Sequence, residues 1–173
     1  LKFQVEDIGH GGKRSVSITI DKAHPSKLVA YNWISKPRGW KSGQALEVSA
    51  WVKTENVTTT PSLIVQCLGK ENNYLAFGTS DEKFNITGTK DWTRIAALVL
   101  VPPDTDQVHV RASLKMPENG GSKVWFDDFA LAETDAADAK AATQEISPAV
   151  QAAMKQQNEA ATKLAASQNG SLK

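Results

Sequence analysis

Near residue 125 the stretch SKVWFDDFALAE (residues 122–133) sets two carboxylates, Asp127 and Asp128, side by side in an otherwise apolar run. Glycoside hydrolysis needs two acids, but they must face each other across a cleft. Successive residues of an extended chain point to opposite faces, so neighbouring acids in a strand diverge. Strict alternation puts Val124, Phe126 and Ala130 on one face and Trp125, Phe129 and Leu131 on the other, with one acid on each. One carboxylate should therefore face a core, where a bare charge is expensive and needs compensation. Backbone N–H groups of a glycine-rich loop, or Lys13 or Arg14, would supply it.

Other residues with chemistry to offer lie on the polar sides of alternating runs. Glu47, Ser49 and Trp51 share one side of ALEVSAWVKT, Gln66 belongs to a later run, and His109 and Arg111 share one side of DQVHVRASLKM. Tyr31 and Trp33 share a face in LVAYNWIS, while Trp40 and Tyr74 sit in or beside turns. Rings that stack on the apolar faces of sugars, with planar polar groups for their hydroxyls, are the equipment of a carbohydrate site. If the runs neighbour one another, Tyr31, Trp33, Trp40, Gln66, Tyr74, His109 and Arg111 are the candidates. Packing competes with binding for every aromatic residue, and Trp51 and Trp92 are expected to pack.

A catalytic role has thinner support. His109, Arg111 and Tyr31 would suit proton abstraction in a lyase if the three met in space. No G-x-S-x-G, H-E-x-x-H or phosphate-loop pattern occurs. GHGGKR precedes a strand-like run rather than a helix. His10, His24 and His109 are scattered, and Cys67 is alone, so neither an internal disulfide nor Cys/His zinc spacing is available. NVT, NIT and NGS match the N-glycosylation pattern at Asn56, Asn85 and Asn169. Acids elsewhere fall in turns, where solvation is the default.

These residues need elements to hold them. Nine period-two runs are expected as strands, at about 2–8, 14–20, 28–35, 45–54, 62–68, 73–78, 92–101, 106–116 and 123–132. Turn chemistry such as GHGGK, KPRGWKSG, GKENN, TGTKD, PPDTD and PENGG separates them. Many short strands without interleaved helices imply an antiparallel β-sandwich or barrel. Composition changes near residue 133. Residues 134–173 contain no aromatic residue and are rich in Ala, Gln, Lys and Glu. This tail reads as helical, with Asp135 capping one start, and Ser147 and Pro148 opening a second helix. Its apolar stripe of Val150, Met154, Ala161 and Leu164 is thin, as expected of a linker or of a helix lying on the sandwich.

The chain has 173 residues, enough for one sizeable domain with an appendage. Lys and Arg number 20 against 19 Asp and Glu, so no general attraction to nucleic acid or an anionic membrane is expected. No apolar run approaches the ~18 residues of a membrane-spanning helix.

In order, GHGGKRSVSI, WKSGQALEVSAWVKTENV, GTKDWTRIAALVLVPPDTDQVHVRASL and GGSKVWFDDFALAE resemble jelly-roll carbohydrate-binding modules of the galactose-binding-like superfamily, family 4/9/22 type. The resemblance covers about residues 9–133 and implies an all-β jelly roll followed by a helical tail or linker over 134–173. It implies a non-catalytic module that binds a poly- or oligosaccharide, in a secreted or periplasmic setting. It also implies a structural calcium ion at the closing acid pair, held by Asp127 or Asp128 with carbonyls of the Gly9–Lys13 loop, Gly11 among them. Calcium takes six to eight oxygens, several of which can be carbonyls. The alternative for that acid remains hydrogen bonding to the same loop. The alternative for the whole chain is a structural or protein-interaction β-sandwich of a larger envelope or secreted protein, contacting other domains through its tail.

Overall fold

The computed structural model describes residues 1–23, 30–81, 83–153 and 156. All nine expected strands form: β1 (Lys2–Glu6), β2 (Ser15–Ile20), β3 (Ala30–Ser35), β4 (Ala45–Val57), β5 (Ser62–Leu68), β6 (Tyr74–Thr79), β7 (Gly88–Leu100), β8 (Gln107–Lys115) and β9 (Ser122–Glu133). The expected third strand begins at residues 28–29, which lie outside the described residues, as does His24. A two-residue strand, β10 (Gln144–Glu145), was not expected.

The strands form two five-stranded sheets, β1-β2-β9-β4-β7 and β10-β6-β5-β8-β3. Every pairing is antiparallel. The alternation explains how the sheets stack. Ile18, Leu46, Val48, Val52 and Phe126 of the first sheet meet Leu63, Val65, Val108 and Leu114 of the second in one buried cluster. Each such side chain contributes about 1.5–3 kcal/mol when fully buried. This is a jelly-roll β-sandwich.

The closing strand departs from strict alternation. The register of β9 against β4 shifts between Ser49 and Trp51, and Asp128 takes φ 47°, in the left-handed region. This β-bulge inserts an extra residue and turns the following side chains over. Phe129 and Leu131 therefore turn toward the cleft between the sheets, beside Phe126 and opposite Val48, and both remain exposed there. The expected division of faces holds up to Phe126 and fails after it. The bulge also removes both acids from the core: Asp127 is half-buried and Asp128 exposed.

Asp135 caps α1 (Ala136–Ala142), accepting from the N–H groups of Ala137 and Asp138 at 2.8 and 3.0 Å. The helix lies against β7 and β4, with Ala139 fully buried. The Leu100 N–H donates to Thr143 Oγ1 at 2.7 Å, and β10 then extends the second sheet beyond β6. The chain is thus docked on the sandwich well beyond residue 133. Residues 148–153 begin the second expected helix, with the Gln151 N–H donating to the Ser147 carbonyl at 2.9 Å. Its continuation through Met154, Ala161 and Leu164, and the Asn169 glycosylation pattern, lie outside the described residues.

Candidate functional site

Three of the expected binding residues meet on the outer face of the second sheet. Gln66 on β5 lies opposite His109 on β8, and Arg111 lies one step along on the same face, opposite Ile64. Arg111 Nε donates to Gln66 Oε1 at 2.6 Å. His109 Nε2 lies 3.2 Å from Gln107 Oε1, which also accepts from Lys36 Nζ at 3.4 Å. Phe77 on β6 continues the row, with Gln66 on one side and Gln144 of β10 on the other. A depression of about 350 Å³ opens there, lined by Ile64, Phe77, Thr79, Asp81, Lys115 and Gln144. Burial lowers the pKa of His109, and the nearby positive charges of Lys36 and Arg111 lower it further, favouring the neutral ring. The face offers amides, a guanidinium, an imidazole and one ring.

The remaining candidates are elsewhere. Tyr31 and Trp33 alternate to the interior side of β3, opposite buried Leu114 and Ala112. Their rings meet Phe3 edge-on at 6.4 and 5.5 Å, and Trp33 Nε1 donates to the Ser17 carbonyl. Trp40 packs on the core and donates to the Pro37 carbonyl. Tyr74 sits half-buried at the start of β6, opposite Leu68. Glu47, Ser49 and Trp51 belong to the other sheet. A lyase trio of His109, Arg111 and Tyr31 therefore does not assemble, because Tyr31 points away from the other two. Phe77, Gln107, Lys36 and Gln144 were missed. The period-two pattern of YLAFGT marks the face of Phe77, but only the pairing of β6 with β5 brings it to Gln66.

The closing acid pair meets the expected loop through hydrogen bonds. The His10 N–H donates to Asp127 Oδ2 at 2.7 Å, and His10 Nδ1 lies 2.8 Å from Asp128 Oδ2. The imidazole stacks on Trp51 with 3.8 Å between centroids and meets Trp92 edge-on at 5.9 Å. Gly11 lets the loop approach closely: a Cβ would land on Asp128 Oδ2 and lie 3.1 Å from its Cγ, so the carboxylate would have to move. The loop thus engages both acids through nitrogen. Calcium needs six to eight oxygens. Among the described residues no cluster of three or more His, Cys, Asp or Glu could hold a metal ion. In this structure Asp127 and Asp128 make the hydrogen-bonded alternative with the loop, through His10.

Glu6 organises the outer face of the first sheet. It accepts from Ser17 Oγ at 2.6 Å, Trp125 Nε1 at 3.0 Å and Lys123 Nζ at 2.8 Å. Burial alone would raise its pKa, but the hydrogen bonds from Lys123, Ser17 and Trp125 outweigh it and hold the carboxyl below its usual range. A depressed carboxyl stabilises the fold above its unfolded pKa, about 4.3, and loses that contribution as pH falls through the folded value. Glu6→Gln is expected to melt below the wild type at pH 6–7. The gap should close as the pH falls below about 4. Melting curves from pH 2 to 7 check this, and a gap independent of pH would contradict it. Cys67 is no nucleophile: burial pushes its thiol to about 12, against the opposing hydrogen bond with Thr105.

No protein-family model and no curated protein matches this sequence. Solved structures do match. The CBM22-1-CBM22-2 tandem of Paenibacillus barcinonensis Xyn10C aligns over 78% of this chain and 43% of its own, with TM-score 0.54 and 14% identity. The CBM22-1-GH10 modules of Clostridium thermocellum Xyn10B, solved with xylohexaose, give TM-score 0.51 and 18% identity over 78% of this chain and 25% of theirs. TmCBM61, solved with β-1,4-galactotriose, gives 0.50 and 13% over 76% of this chain and 82% of its own. The bacteriophage CBA120 tailspike protein 4 active domain, with TM-score 0.52 and 15% identity over 76% of this chain, is matched over only 18% of its length. At these identities the likeness concerns the fold. The chain has a jelly-roll β-sandwich fold like that of these modules, and it spans a fraction of several of the chains it matches.

Proposed function

We propose that the chain is a non-catalytic carbohydrate-binding module, secreted or periplasmic, whose glycan lies across the outer face of the second sheet. One observation carries this reading: Phe77, Gln66, His109 and Arg111 come into register on one face that the docked α1 segment does not cover. Planar amides and a guanidinium suit paired sugar hydroxyls, and the Phe77 ring suits an apolar sugar face. The absence of chemistry in this reading rests on placement. Asp127 and Asp128 are adjacent at a bulge rather than facing across a cleft, and they are bonded to His10.

Isothermal titration against β-glucans, xylans, galactosides and acidic polysaccharides tests the proposal. At least one class is expected to bind, and Gln66→Ala is expected to weaken that binding about tenfold, near 1.4 kcal/mol. Silence across the panel, or binding indifferent to Gln66, would refute it.

A further inference from the structure

The two outer faces differ in how their cations are partnered. On the first sheet Lys53 pairs with Asp91 at 2.7 Å, Arg94 with Glu47 at 2.5 Å and Lys123 with Glu6 at 2.7 Å. On the second sheet β3, β5, β6 and β8 contain no Asp or Glu at all. The same sheet presents Arg111 and Lys115, and Lys36 follows directly after β3. Lys115 finds Asp81 in the loop after β6. Arg111 and Lys36 instead bond to the neutral amides of Gln66 and Gln107. Glu145 of β10 lies opposite Ala76, out of the row of Phe77. Among the described residues the charges of Arg111 and Lys36 therefore have no carboxylate partner, and their influence reaches His109.

The aromatic side of the face is correspondingly poor. Phe77 is half-buried, and the tryptophans are elsewhere: Trp33 and Trp40 against the core, Trp51, Trp92 and Trp125 on the strands of the first sheet. A neutral glycan held chiefly by stacking would find one ring. Gln66 takes Arg111 Nε, which orients the guanidinium and leaves its terminal nitrogens for a planar, bidentate acceptor. From Arg111 and Lys36, which bond to amides rather than to a carboxylate among the described residues, we propose that this face selects a glycan bearing uronate carboxylates, with Arg111 as the carboxylate fork and Gln66 as its positioning residue. The inference rests on the glycan-binding role and adds the class of sugar.

Titration of polygalacturonate and glucuronoxylan against their carboxyl-reduced forms tests it, with dextran sulfate as a third probe. The acidic polymers are expected to bind about tenfold or more tightly than the reduced ones. Arg111→Gln should abolish that preference. Arg111→Lys, which keeps the charge without the fork, should retain only part of it. Arg94→Gln, a charge removed from the opposite face, should leave it unchanged. Equal binding of acidic and reduced polymers overturns the carboxylate selection while leaving a glycan-binding module standing. Dextran sulfate binding as tightly as polygalacturonate also overturns it, because the face would then be a general polyanion surface. No binding to any polymer, acidic or neutral, overturns the glycan-binding role itself.

Discussion

Gly78→Ala is expected to lower the melting temperature by roughly 6–12 °C, corresponding to about 3 kcal/mol for a chain of this size. Gly78 lies on β6 opposite Val65, which is fully buried, so a side chain here would point between the sheets. A Cβ would land on the carbonyl oxygen of Leu98 on β7, with the Leu98 carbon 2.8 Å away and Val99 Cβ at 3.5 Å. The obstacle is backbone of the opposite sheet, not the end of a flexible side chain. Relief would require the two sheets to part at this edge. There α1 packs on β7, the Leu100 N–H is tied to Thr143, and β10 is tied to β6. Thermal or urea unfolding measures the loss. A variant as stable as the wild type would mean that β6 and β7 separate freely.

Much of the architecture was legible because it follows from side-chain period. Val48, Ala50 and Val52 alternate with Ser49, Trp51 and Lys53, and burial on one side alone makes a β-strand with a defined inner face. The same rule predicted the wrong face for Phe129 and Leu131. One residue in the left-handed region, Asp128, shifts the phase, and asparagine and aspartate tolerate that region better than most residues. The sequence contained the clue in the doubled acid but not the bulge. The site was less legible for a different reason. Gln66, His109 and Arg111 were recognisable by type, yet whether Trp51 or Phe77 joins them depends on strand order, and strand order is set by contacts between distant segments. Trp33 shows the same limit. Its residue type made it a binding candidate, whereas Phe3, some thirty residues earlier in the chain, covers its ring edge-on.

Removing the carboxylate of Glu118 is expected to cost still more. Its place in PENGG reads as a solvated turn acid, but Glu118 is 2% exposed. It accepts from the Thr58 N–H at 2.9 Å, and from the Thr59 N–H and Thr59 Oγ1 at 2.6 Å each. Hydrogen bonds to a charged acceptor contribute about 1.5–3 kcal/mol apiece, and buried donors left without an acceptor add their own desolvation penalty. These terms overlap, so Glu118→Ala is expected to lose about 3–5 kcal/mol. Glu118→Gln keeps the volume and one acceptor but sets an NH2 against an N–H donor. It should lose about 2 kcal/mol. Urea denaturation of both variants tests this, and a Gln variant as stable as the wild type would mean that the charge is dispensable. The consequence reaches the candidate site. The single Thr59 hydroxyl proton is shared between Glu118 and the Lys115 carbonyl, 2.6 Å from Oγ1, and Thr58 donates through Oγ1 to the Pro117 carbonyl. Glu118 therefore clamps the turn entering β5 onto the end of β8. That pairing is what places Gln66 beside His109 and Arg111. At temperatures where Glu118→Gln remains folded, loosening of this clamp should weaken binding at the proposed glycan face, because β5 shifts against β8.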